Sequence, residues 1–318
     1  MRSFSLRFAL VLPIVAGCAV QSESEAPASE TQPLAATPTV PAYVNHALGV
    51  HSKATIDALQ NDAYLRDTFI DVEVRTTVRP DITYTGTYLN GRVTYVESFV
   101  EGMLGIPLNV FELALGTEVT GSAEVVQQKW NEEFGEHETA IPLFSRQVDG
   151  VDVPWFRGVI PAWTNTALSA FVFDIEYVPN PGSTVPRTRL EERAARYQPT
   201  KLARDVQAFV FAAPAGEIDL LRRSLTSLGW SASSRASGFL ALSPLDQGTR
   251  RAVVVKQSDP ALAGMLGVMF NLNRFERHTE PLGDALLKVG IAGQPLAMLW
   301  FGAPAPQDEA DLAAALRQ

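Results

Sequence analysis

Residues 44–51 read VNHALGVH, and residues 75–100 read RTTVRPDITYTGTYLNGRVTYVESFV. Between them runs a polar segment of helical period. Together they spell strand, helix and three strands. Val44 to Val50 alternates as a strand should. Ser52 suits the N-cap of the following helix. Ile56 and Leu59 lie three apart and Leu65 and Phe69 four apart, which gives that segment one apolar side, with a break near Asn61-Asp62. Asp71 to Val78 alternates, with Val72, Val74, Thr76 and Val78 on one face. Pro80-Asp81 is a turn. Thr83 to Leu89 is rich in Tyr and Thr, which suit a half-buried strand. Asn90-Gly91 is a strong hairpin signal, and Arg92 to Val100 closes the module. His46 falls in its first strand and Glu97 in its last.

The pattern returns. Val110 to Thr117 is a strand, and Ser122 suits the cap of a helix carrying Val126, Trp130 and Phe134, stopped by Gly135. Ala140 to Gln147, Val153 to Ile160 and Ala167 to Val178 follow as strands, the first two joined at Asp149-Gly150. A third copy has the strand Asp205 to Ala213, a helix over Gly216 to Leu228, and short strands over Trp230 to Ser234, Gly238 to Ser243 and Arg250 to Lys256. The fourth has a strand over Leu266 to Asn273, a polar crossover without a helix, and strands near Ala285 to Gly290 and Pro295 to Phe301. Asp308 to Gln318 reads as a short terminal helix. Each module leaves a sheet face that one helix cannot cover, so pairs of modules are expected to pack side by side. The expected fold is α+β, with tandem βαβββ modules paired into two domains of curved mixed sheets.

The N-terminus has a basic start at Arg2 and Arg7, an apolar run from Phe8 to Val15, then Val15-Ala16-Gly17-Cys18. This is the layout of a secretory signal, and its end resembles the lipobox of bacterial lipoproteins. The resemblance implies cleavage before Cys18 and lipid attachment to its thiol. Ala19 after the cysteine favours the outer membrane in a host that has one. The expected organisation is a signal peptide over 1–17, a flexible tether over 18–41, a first domain over 42–181, a linker over 182–200, a second domain over 201–302 and a tail over 303–318. The tether is rich in Ser, Glu, Ala and Pro and has no apolar face to bury. No other stretch reaches the ~18 apolar residues that cross a bilayer. With 46% hydrophobic and 19% charged residues, most of the chain is globular. A net charge of −9 argues against a nucleic-acid partner. The single cysteine excludes a disulfide framework and any multi-cysteine metal site.

The strand, helix, three-strand repeat resembles the glyoxalase, bleomycin-resistance and extradiol-dioxygenase superfamily, the vicinal oxygen chelate proteins. The stretches that carry it are VNHALGVH, TYVESFV, FELALGTE and FDIEYV. RTTVRPDITYTG is also similar to a bacterial domain family of unknown function in this fold group. In the superfamily's enzymes a divalent metal sits in the cleft between paired modules, held by their first and last strands. By motif the positions here are His46 and Glu97, then Glu112, where a histidine is more usual, and Glu176. One imidazole and carboxylates suit Mn²⁺, Fe²⁺, Ni²⁺ or Zn²⁺. The third and fourth modules show no such set.

Further candidates come from spacing. Arg75 and Arg79 share a strand face with Thr77 between them, and could hold a carboxylate or phosphate. Tyr84 and Tyr88 also share a face, and Trp155 and Trp163 are candidates for the cleft mouth. His51 lies five residues after His46 and points the other way. His137 and His278 read as solvent histidines. No G-x-S-x-G elbow, P-loop or G-x-G-x-x-G occurs. The expectation is a lipid-anchored envelope protein that binds a small organic ligand or a partner without catalysis. The alternative is a metal-dependent lyase, isomerase or dioxygenase with its site in the first domain. The oligomeric state stays open.

Overall fold

The computed structural model describes residues 40–135, 139–184 and 187–302, together with Leu312. Cys18, the signal, nearly all of the tether, His137 and the rest of the tail lie outside the described residues. The first module comprises β1 (Tyr43–His51), α1 (Lys53–Asn61), β2 (Asp71–Val78), β3 (Thr83–Asn90) and β4 (Tyr95–Val100). The second comprises β5 (Phe111–Thr117), α2 (Ser122–Phe134), β6 (Leu143–Val148), β7 (Val151–Val159) and β8 (Ala170–Tyr177). A short helix α3 (Arg189–Ala194) leads to the third module: β9 (Ala203–Ala213), α4 (Ala215–Thr226), β10 (Ser231–Arg235), β11 (Gly238–Leu242) and β12 (Ala252–Gln257). The fourth is β13 (Gly264–Leu272), β14 (His278–Leu282), β15 (Ala285–Val289) and β16 (Leu296–Trp300). Among the described residues no helix is long and apolar enough to cross a membrane.

The modules pair into two eight-stranded sheets, ordered β2-β3-β4-β1-β5-β8-β7-β6 and β10-β11-β12-β9-β13-β16-β15-β14. The α+β architecture of paired modules is as expected. Within a module the first and last strands run parallel, as in β1–β4 and β5–β8, because a helix carries the chain across. The fourth module departs from this. It has no crossover helix, so β13 and β16 are antiparallel. The stretch expected as a polar crossover is itself the strand β14, paired to β15 around Gly283-Asp284.

Local signals act as expected at most ends. Ser52 caps α1, its Oγ accepting from the Thr55 N–H at 3.2 Å. Asp149 and Gly150 both have positive φ, 52° and 78°, as a tight two-residue hairpin requires. Two signals are overridden. Asn90-Gly91 makes no two-residue turn, and β4 begins only at Tyr95. Gly91 N–H donates to the Thr94 carbonyl at 3.1 Å, and the next three N–H groups are drawn to the second half. Arg92 N–H donates to the Arg204 carbonyl at 3.0 Å, and Val93 and Thr94 donate to Asp205 Oδ1 at 3.3 and 3.0 Å. Glycine is needed at 91 for closeness, since a Cβ there would stand 2.5 Å from Asp205 Oδ1. At α2 the cap position is Gly121, and Ser122 lies one residue inside the helix.

The helices lie on the sheet faces opposite the concave ones, and there the two halves share one apolar core. Phe111 stacks on Phe211 at 4.2 Å, and Phe69 meets Phe270 edge-on at 5.4 Å. Trp230 Nε1 donates to the Ala42 carbonyl at 2.9 Å, and Trp163 and Trp130 Nε1 reach the Ser224 hydroxyl and carbonyl, both at 3.1 Å. Trp163 thus belongs to the core and not to a cleft mouth. His51 is buried with its ring stacked on Phe301 at 3.8 Å. His278 is half-buried, stacked on Tyr64 at 3.7 Å and bonded to Glu280 at 2.7 Å, so it is not a solvent histidine.

Candidate functional site

One irregularity in β1 aims the site. Val44 pairs with Leu115 and His46 with Ala114, so Asn45 is an extra residue, a β-bulge. In a regular strand Val44 and His46 would share a face. The bulge lets Val44 enter the core while His46 turns into the concave face of the first sheet. Asn45 then supports the ring: its Oδ1 lies 3.0 Å from His46 Nδ1, and its Nδ2 donates to Tyr177 Oη at 3.1 Å. The amide nitrogen is thereby committed to Tyr177, which leaves Oδ1 to accept from Nδ1–H. His46 Nε2 is then a lone pair facing the cleft. The ring is further fixed by stacking on Tyr95 at 4.3 Å.

Two carboxylates meet that nitrogen. Glu97 on β4 and Glu112 on β5 both sit opposite Leu48 of β1. Their oxygens approach His46 Nε2 at 3.7 Å and 3.4 Å. Tyr88 Oη donates to the other oxygen of Glu97 at 2.6 Å. Burial dominates the protonation of all three. It lowers His46 to about 4 against the attraction of Glu97, so the ring is neutral at pH 7. It raises Glu97, opposed by His46 and the Tyr88 hydrogen bond, and lifts Glu112 to about 7, with Arg79 pulling it back.

Above this trio a cleft opens to solvent. Nine of its seventeen lining residues are aromatic, among them Tyr84, Tyr95, Phe99, Phe156 and Phe173. Trp155 and Leu104 also line it. Arg79 contributes its guanidinium, stacked over Phe144 at 4.7 Å and held by Asp81 through bonds of 3.1 and 2.8 Å. The corresponding face of the second half is apolar. Met269, Met298, Trp300, Val210 and Leu240 form a closed apolar cluster there, with Leu312 packed among them.

The structure therefore brings His46, Glu97 and Glu112 together, and puts Arg79 and Tyr84 on the cleft wall. Arg75 and Tyr88 lie one layer back. Arg75 covers the Tyr88 ring at 4.0 Å and pairs with Glu73 at 3.5 Å, while Tyr88 orients Glu97. Glu176 must be corrected. In FDIEYV the residues Phe173, Ile175 and Tyr177 take the cleft face, so Asp174 and Glu176 take the other. Glu176 caps α2 there, accepting from Gly121 N–H at 3.1 Å, Ser122 Oγ at 3.1 Å and Ala123 N–H at 2.7 Å. It supplies the cap expected of Ser122. Glu97 lies two residues past the partner of His46, and Phe173 two past the partner of Glu112. A phenyl ring thus stands where the repeat would place a fourth carboxylate. Asn45 and Tyr177 escape sequence reading, because the bulge that makes them useful leaves no compositional mark.

The donor chemistry suits a divalent ion that takes one nitrogen and two oxygens. Two ligands of one ion, each ~2.0–2.2 Å from it, can stand no more than ~4.4 Å apart, and both spacings to His46 fall inside that limit. Among the described residues no group of three or more His, Cys, Asp or Glu side chains is placed to hold a metal ion.

Comparison with solved structures shows the fold. A hypothetical protein from Staphylococcus aureus superposes with a TM-score of 0.51 at 9% identity, over 77% of this chain and 97% of that one. A variant of homoprotocatechuate 2,3-dioxygenase from B. fuscum gives 0.37 at 13% identity, over 71% of this chain and 56% of that one. The same enzyme from Arthrobacter globiformis gives 0.35 at 14% identity, over 70% and 64%. The chain thus spans less than two thirds of these dioxygenases. No protein of curated function matches it in sequence. Residues 44–297 match the sequence profile of a family of unknown function, DUF5829. The match runs from the first strand of the first module to the last strand of the fourth, and the chain belongs to the DUF5829 family.

Proposed function

We propose that this chain is a small-molecule-binding protein of the bacterial cell envelope, tethered by lipid on Cys18, whose first-half cleft holds an organic ligand without turning it over. The observation that carries the reading is the contrast between the halves: one concave face is open, ring-walled and floored by three polar side chains, and the other, among the described residues, buries an apolar cluster. Phe173 in place of a fourth carboxylate supports binding over catalysis. In a titration with the neutral dye Nile red, the purified protein is expected to give a saturable rise in emission near one dye per chain. Leu48→Trp, which fills the cleft from β1, is expected to abolish that rise while keeping a cooperative melt. Dye binding that survives the substitution would locate the apolar site elsewhere. For the anchor, Cys18→Ala is expected to move the protein from the membrane fraction to the soluble one. An unchanged distribution rules out the lipid.

A second reading is favoured by the two carboxylate oxygens facing His46 Nε2. His46, Glu97 and Glu112 would hold a divalent ion such as Fe²⁺, Mn²⁺, Ni²⁺ or Zn²⁺, which as a Lewis acid polarises a bound carbonyl or enediolate. Asn45 keeps Nε2 unprotonated for that purpose, Tyr88 steadies Glu97, and the aromatic walls exclude water. Elemental analysis decides it. On this reading the wild type retains close to one ion per chain, and the His46→Ala, Glu97→Gln double variant retains none. Equal and negligible content in both removes the reading.

A further inference from the structure

The cleft floor holds two carboxyl groups without a cationic partner. Among the described residues no lysine or arginine forms an ion pair with Glu97 or Glu112, and no donor hydrogen-bonds the Glu112 carboxylate. Arg79 is engaged at the mouth by Asp81. Arg193 lies over Tyr95 at 3.9 Å and Arg75 over Tyr88, each with a ring between itself and the trio. His46 is 5% exposed, and its Nε2 hydrogen-bonds to nothing described. Glu97 Oε2, the Glu112 carboxyl group and the imidazole lone pair thus point inward without a donor among the described residues, Tyr88 being spent on Glu97 Oε1.

Resting on the small-molecule reading above, we propose that the ligand is a primary organic amine bound as its ammonium ion. The NH₃⁺ group sits at His46, Glu97 and Glu112, and an aromatic or alkyl body lies between the rings. An alkylammonium has three N–H donors and no acceptor, which matches three acceptors and no donor. N–H···O bonds of ~2.9 Å from one tetrahedral nitrogen ask for acceptors ~4.7 Å apart. Glu112 has no hydrogen bond holding it at 3.4 Å from His46 and can swing outward to admit the guest. The walls favour the same class. Phe173 meets the imidazole ring at 6.2 Å between centroids, so an aromatic ring borders the charge position, while the faces of Tyr95 are taken by His46 and Arg193. An aromatic face attracts an ammonium ion strongly once the ion is desolvated.

The test is isothermal titration of the purified protein, in EDTA so that no metal stands in for the ammonium, with phenethylamine, phenethyl alcohol and phenylacetate. The amine is expected to bind at least about tenfold more tightly than the alcohol, a difference of ~1.4 kcal/mol, and the carboxylate most weakly. In Glu112→Gln, which preserves shape, and in Glu97→Gln, the preference for amine over alcohol is expected to fall below threefold. Melting curves show whether each variant is folded, and either one suffices for the comparison. Equal affinity for amine and alcohol, or a preference unchanged in a folded variant, overturns the ammonium assignment and leaves the cleft as a binding site. Tightest binding of phenylacetate also overturns it and makes Arg79 the anchor. No binding of any probe overturns the small-molecule reading itself.

Discussion

Arg189→Ala is expected to lower the stability of the whole chain by about 3 kcal/mol. Arg189 lies on α3, in the segment expected to be a linker, yet it is 1% exposed. Its Nε and backbone N–H donate to Glu118 at 3.1 and 3.0 Å, Nη2 to Asp246 at 3.1 Å, and Nη1 to the Val44 carbonyl at 2.6 Å. One side chain therefore ties the first sheet, the second half and the bulge that aims His46. Removing one partner of a buried ion pair costs ~3–5 kcal/mol, because the other charge is left without compensation. The lower end applies here. Asp246 keeps Arg251 at 2.5 Å, and Glu118 is partly solvated. Urea denaturation followed by tryptophan fluorescence measures the loss. The Val44 carbonyl keeps the Thr94 hydroxyl, at 3.2 Å. Nile red affinity should therefore weaken as well, since the bulge loses its main support. A loss under ~1 kcal/mol would mean that Arg189 is not a structural bolt.

Asp174→Asn is expected to act in the opposite direction, stabilising the protein and doing so increasingly as pH rises. Asp174 is completely buried under the N-terminal end of α2. Thr117 Oγ1 donates to its Oδ2 at 3.0 Å, and its Oδ1 has no partner. Burial lifts its carboxyl from 3.8 to about 8, with the neighbouring Glu176 adding to the shift and Thr117 and Arg189 opposing it. The folded value lies above the unfolded one. On raising the pH from 4, the unfolded chain therefore loses its proton first, and stability falls until the folded group also ionises near 8. Asparagine is neutral in both states and shows no such fall. The variant should match wild type near pH 4 and exceed it by on the order of 3 kcal/mol at pH 8 to 9. Melting temperatures across that range are the readout. A gain that does not depend on pH would mean that the carboxyl is already ionised in the fold.

Much of this was legible in the chain. Strand alternation, the i, i+4 spacings of α2 and the Asp149-Gly150 turn are local, so the repeat and its pairing into sheets follow from sequence alone. The spacing of His46, Glu97 and Glu112 was readable as motif, because all three fall on strands central to the first sheet. What the sequence could not decide was which face each strand buries. In β2 the valines Val74 and Val78 are exposed while Thr77 is buried, and Arg79, one residue past its end, turns into the cleft. The concave face needs polar groups there, and that need arises only once eight strands curl together. Glu176 read as a ligand because alternation fixes which residues share a face but not which face is the cleft. Its partner, the N-terminus of α2, is more than fifty residues away in the chain. The bulge at Asn45, the capture of the Asn90-Gly91 turn by Asp205 and the burial of Arg189 all depend on contacts between distant segments. Local sequence sets the elements and their period. Long-range packing, through the cost of leaving buried N–H groups and charges without partners, sets where the side chains point.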